Sequence, residues 1–80
     1  HLEAHTDIIR RSNLLINVGE NTAYVQHSNN GTLEEVAIEP GESFLINTKV
    51  LHGSNNKTDK AFEFLTINTR QAYQTRIDHE

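Results

Sequence analysis

His5-Thr6-Asp7 is the first place in this chain where residue type and spacing could do chemistry. In an extended chain, residues two apart point to the same face. An imidazole nitrogen and a carboxylate oxygen then converge on one point. A second histidine from a neighbouring strand would complete a 2-His-1-carboxylate facial triad. That set leaves coordination positions open and suits non-haem iron(II). His52 is the candidate, because it ends the run Asn47-Thr48-Lys49-Val50-Leu51 just after a strand-like segment. The H-x-D triplet alone is a weak signal, since an ordinary exposed histidine beside a turn aspartate reads the same. A histidine-only site of His1, His5 and His52 would read as zinc, but it leaves Asp7 unexplained. His27, at the mouth of a hairpin, and His79, in a polar tail, read as surface residues.

The elements that must position these residues are strands. Apolar residues fall in short runs rich in Ile, Val, Leu, Thr and Phe, separated by turn residues. The pattern predicts strands over Asn13–Val18, Thr22–His27, Thr32–Ile38, Ser43–Asn47, around Leu51–Asn55, and over Ala61–Thr69. Ser28-Asn29-Asn30-Gly31 is a hairpin signal, because Asn and Gly tolerate positive φ. Glu39-Pro40-Gly41-Glu42 is a second turn. In the last strand Phe62, Phe64, Thr66 and Asn68 share one face. Ile8 and Ile9 favour an extended chain, which puts His5 and Asp7 at a strand's end. Gln71–Glu80 reads as a short helix or a frayed polar tail. No internal repeat is evident. Six close strands with no crossover helix predict an antiparallel sandwich or jelly-roll barrel.

Composition narrows the classes. The chain has 80 residues and a net charge of −4, with no Cys, Met or Trp. Apolar residues make up 35% before glycine is counted, below the roughly 45–50% usual with glycine. The core is therefore thin, and no disulfide or Cys-ligated zinc can reinforce it. No apolar run is long enough for a transmembrane helix or a signal-peptide core, so a cytoplasmic location is expected. The absence of a basic tract argues against nucleic acid.

The stretch from Pro40 to Asn56 resembles the second conserved motif of cupin-type double-stranded β-helices: a Pro-Gly turn, a buried strand, then His52 followed four residues later by Asn56. His5-Thr6-Asp7-Ile8-Ile9-Arg10, an H-x-D-x-x-R pattern, is similar to iron(II)/2-oxoglutarate-dependent oxygenases. Leu45-Ile46-Asn47-Thr48 with His52 fits the same group. The narrowest resemblance is to small aspartyl/asparaginyl β-hydroxylase-like and phage-encoded members, over about residues 5–69.

That resemblance implies an all-β, jelly-roll double-stranded β-helix and a dioxygenase, usually a hydroxylase. Iron(II) would be held by His5, Asp7 and His52, with 2-oxoglutarate as co-substrate and dioxygen at the last position. It also implies a cation for the far carboxylate of 2-oxoglutarate. Lys60 is the positional match, Arg70 the reserve, and Arg10 lies beside the triad. The substrate class would be an amino-acid side chain or a small molecule. A full fold of this kind has eight strands and only six are counted, so the chain reads as one partial domain, residues 1–80, lacking its first strand. Two rivals stand beside this reading. One is a metal-binding cupin without 2-oxoglutarate. The other is a non-catalytic β-sandwich interaction module of a larger protein, a viral one included.

Overall fold

A computed structural model of the chain describes residues 2–5, 12–48, 50–68 and 72–79, with the backbone alone at residues 2, 3 and 5. Eight strands follow in order: β1 (Leu2–His5), β2 (Ser12–Asn17), β3 (Ala23–Asn29), β4 (Thr32–Ile38), β5 (Ser43–Asn47), β6 (His52–Ser54), β7 (Phe62–Ile67) and β8 (Ala72–Ile77). All pairings are antiparallel. One four-stranded sheet, sheet A, has the order β1-β6-β3-β4, and the other, sheet B, has β5-β2-β7-β8. Among the described residues no helix is long and apolar enough to cross a membrane.

Turn chemistry sets the local connections. Asn30 (φ 52°) and Gly31 (φ 83°) both take left-handed backbone. A two-residue loop with two positive φ values matches the twist of the flanking strands. It aligns β3 and β4 over seven pairs, from Ala23 opposite Ile38 to Asn29 opposite Thr32. At Glu39-Pro40-Gly41-Glu42, the Glu42 amide donates to the Glu39 carbonyl at 2.9 Å, and Gly41 has φ 84°. Proline then positive-φ glycine is the type II pattern.

Two sequence expectations are corrected. The protein is all-β, but the double-stranded β-helix, jelly-roll assignment does not stand. The two sheets are not closed into a barrel: each ends in two edge strands, β1 and β4 in one, β5 and β8 in the other. The polar stretch at 71–80 contains β8, paired with β7 from Phe62 opposite Ile77 to Ile67 opposite Ala72. An edge strand needs only one apolar face, and Tyr73, Thr75 and Ile77 are a weak signal for one.

The topology repeats itself. Replacing each of β1–β4 by the corresponding member of β5–β8, and the reverse, converts one sheet order into the other. The shift that superposes the halves is 39 residues, the distance from Asn17 to Asn56. Between residues 12–38 and 51–77 only Asn17/Asn56, Asn29/Asn68 and Ile38/Ile77 are identical. That explains why no repeat is visible in the sequence.

The core lies between the sheets. Its buried apolar members include Leu15, Ala23, Val25, Ile38, Ile46, Phe62, Phe64 and Ile77. Buried polar side chains are almost as numerous: Asn13, Asn17, Thr48, His52, Ser54, Asn56 and Thr66. A core this mixed holds only if its polar groups find partners, since burying an unpaired one costs about 1–3 kcal/mol.

Candidate functional site

Asn17 and Asn56 account for two of those polar groups, and they do the same work in the two halves. Asn17 Nδ2 donates to the carbonyls of Asn21 and Ile38, both at 2.8 Å, and its Oδ1 accepts from the Gly19 amide at 3.0 Å. Asn56 Nδ2 donates to the carbonyls of Lys60 and, at 2.9 Å, Ile77. Its Oδ1 accepts from the Thr58 amide (2.9 Å) and hydroxyl (2.7 Å). The sequence separations are four, 21 and two residues in both cases. Asn17 ends β2 and Asn56 lies two residues beyond β6, and each holds the following turn and ties it to the end of its half's hairpin. Asn56, matched above to a cupin motif, is therefore a turn brace.

His52 is the one proposed metal ligand whose side chain is described. It is buried, and its Nδ1 lies 2.9 Å from the Val50 carbonyl. A carbonyl only accepts, so Nδ1 carries the proton. The backbone register sets His52 opposite His5 on β1 and opposite His27 on β3, so three histidine positions fall in one row across sheet A. The His27 ring is committed to structure. Its Nε2 accepts from the Asn47 amide at 3.1 Å, and its ring meets Phe44 edge-on with centroids 5.3 Å apart. Both contacts tie sheet A to β5 of sheet B.

The described residues assemble no facial triad. Among the described residues no group of three His, Cys, Asp or Glu side chains is placed to hold a metal. Asp7, Arg10 and Arg70 lie outside the described residues, as does the side chain of His5. The iron(II) assignment, the dioxygenase and hydroxylase reading and the metal-binding cupin alternative are corrected accordingly. The 2-oxoglutarate expectation fails on charge as well. Lys60 is exposed in the turn after Asn56, and its backbone, not its ammonium, is what that turn uses. No Lys or Arg is among the described residues that line the space between the sheets. A dicarboxylate there would meet no Lys or Arg countercharge from the described residues.

That space is a cavity of about 160 Å³. Leu15, Val25, Ile46, Phe64 and Ile77 supply most of its wall. Asn13, His52, Ser54 and Thr66 add polar groups, and Tyr73 and Thr75 come from β8. Ser54 Oγ donates to the Tyr24 carbonyl at 2.9 Å, whereas Asn13 Oδ1 is sealed from solvent and accepts no hydrogen bond.

The outer face of sheet B was missed by reading strands one at a time. Leu45, Leu14, Ile67 and Ala72 lie in register across all four strands, and Ile16 and Leu65 sit side by side in a neighbouring row. Leu45 is 62% exposed and Ile67 38%. The strand alternation of Leu14 and Ile16 against the buried Asn13, Leu15 and Asn17 could have pointed to it. At one end of this face Arg76 Nη1 pairs with Glu63 at 2.8 Å, and its Nε pairs with Asp78 at 2.9 Å. Asp78 first and then Glu63 raise the Arg76 pKa above its ordinary value, so it stays charged. No family model, curated protein or solved structure matches this chain.

Proposed function

We propose that this chain is a non-catalytic β-sandwich interaction module, and that it docks through the outer face of sheet B. The observation that carries this reading is the apolar row Leu45–Leu14–Ile67–Ala72, continuous across four strands and open to solvent. An antiparallel sheet with one face on the core normally turns polar residues outward. Here the outward positions at the centre are leucine and isoleucine, with Gln74, Glu63 and Arg76 toward the rim. An apolar centre inside a polar rim is how protein interfaces are built.

The partner is a second copy of this chain, laid face to face. Four strands of about 4.8 Å spacing and about six residues' length make a flat footprint of roughly 380 Å² per copy. Two such faces with their side-chain relief bury on the order of 1,000 Å², the lower limit of a specific interface. Association in the micromolar range is expected, with no charged group at the centre to oppose it.

Sedimentation velocity from about 5 to 500 μM tests this. A monomer–dimer equilibrium should appear, and Leu45→Glu and Ile67→Lys should each leave only monomer with the circular dichroism spectrum unchanged. A wild-type chain that stays monomeric throughout would sink the proposal. So would a dimer that both variants leave intact.

A further inference from the structure

One edge of sheet A carries a separate inference, independent of the docking face on sheet B. We infer that β4 is a docking edge for an extended, basic segment of another protein, which joins sheet A as a further antiparallel strand.

The backbone supplies the first argument. β4 is the longest of the four edge strands, with seven residues against four, five and six. Its register with β3 is unbroken. The residues that flank a two-residue hairpin loop form a hydrogen-bonded pair, and such pairs alternate along the ladder. Thr32, Glu34, Val36 and Ile38 therefore turn their backbone groups to β3, and Leu33, Glu35 and Ala37 turn theirs outward. Ser28, opposite Leu33, agrees with this phase: its amide donates away from β4, to the Leu51 carbonyl at 2.8 Å. No strand among the described residues covers the outward groups of β4. Natural edges are commonly closed by lysine, proline, a bulge or shortness. β4 has none of these and carries two glutamates instead.

Charge selects the occupant. No Lys or Arg occurs between Arg11 and Lys49, and none lies on any strand of sheet A. Glu34 and Glu35 are both exposed. A second copy that paired its own β4 over all seven residues would set Glu35 against Glu35, and like charges directly opposite destabilise a ladder. A lysine or arginine at that place is attracted. Leu33 lies on the same face of β4 as Glu35, and Leu33 and Leu51 are 40% and 41% exposed. The occupant therefore presents a basic residue to Glu35 and, two positions on, an apolar one to Leu33. Main-chain bonds supply its affinity and these alternate side chains its specificity.

The test titrates the capped peptide Ser-Thr-Val-Lys-Thr-Leu-Thr into the ¹⁵N-labelled chain and follows amide hydrogen exchange by NMR. Antiparallel alignment sets its lysine opposite Glu35 and its leucine opposite Leu33. With the peptide about tenfold above its Kd, the amides of Leu33, Glu35 and Ala37 should exchange about tenfold more slowly. Those of Glu34 and Val36, already bonded to β3, should not change. Glutamate in place of the peptide's lysine should weaken binding about tenfold. Glu35→Lys, at an exposed position, should reverse that preference. N-methylation of the peptide at its lysine and leucine should abolish the protection. No protection at millimolar peptide, protection that survives N-methylation, or equal binding of the two peptides would overturn the proposal. So would protection of the same three amides on raising the chain concentration alone, which would give the edge to a second copy.

Discussion

At equivalent places in the two halves, Leu15 on β2 stands where Ser54 stands on β6, and Asn13 stands where His52 stands. β2 is six residues long, paired with β5 from Ser12 to Ile16 and with β7 from Leu14 to Asn17. β6 is three residues long, and only two of its register pairs are with β3. One topology thus carries different side chains at equivalent core positions. The first half buries leucine where the second buries serine, and the second buries Phe62 and Phe64 where the first buries Ala23 and Val25, all in the one core between the sheets. The turn brace is common to both halves, because Asn17 and Asn56 bond the same three relative positions. What a half must keep is the polar clamp at the strand end. What it can change is the filling.

The sharpest way to break this comparison is to make the first half resemble the second. Leu15→Ser should cost about 3–5 kcal/mol, because it removes buried methyl groups and strands a hydroxyl. That is most of the stability a domain of this size has, so urea melts should show a chain largely unfolded in dilute buffer. A loss below about 1 kcal/mol would mean that Leu15 is not packed as a core residue. Next come the braces. Asn56→Ala should cost about 2–4 kcal/mol and Asn17→Ala slightly less, since Asn56 makes four hydrogen bonds, the Thr58 hydroxyl adding one, where Asn17 makes three. Denaturation midpoints that ranked them the other way would show that the Thr58 hydroxyl bond adds nothing to the second brace. The smallest effect concerns the hairpin of the first half. Gly31→Ala should cost about 1 kcal/mol through its positive φ alone, because a Cβ there meets nothing within 4 Å. A larger loss would show that the turn is packed and not merely bent.

The strands were readable where local chemistry is one-sided. Phe62, Phe64 and Thr66 alternate with Glu63 and Leu65, and the first set is buried. Thr32–Ile38 and Ser43–Asn47 were expected with the bounds they have. The strands without such a signal, Leu2–His5 and Ala72–Ile77, are edges whose composition barely differs from a loop. The candidate site was legible only as a list of histidines. The register does set His5 and His52 opposite each other, but opposition on a sheet is not a ligand set. Histidine can equally spend its nitrogens on backbone, as the rings of His52 and His27 do.

The sequence by itself determined the all-β class, the two turns at Asn30-Gly31 and Pro40-Gly41, and the thinness of the core. These depend on residues within a few positions of each other, where alternation and allowed φ act directly. Only the tertiary structure decided which strands pair, that the sheets stay open, and that the halves repeat over a 39-residue shift. It alone placed four apolar residues from four strands in one row on the outer face of a sheet, and it alone left Asn13 Oδ1 buried without a partner. Those facts depend on register between segments far apart in the chain, and no local pattern encodes register.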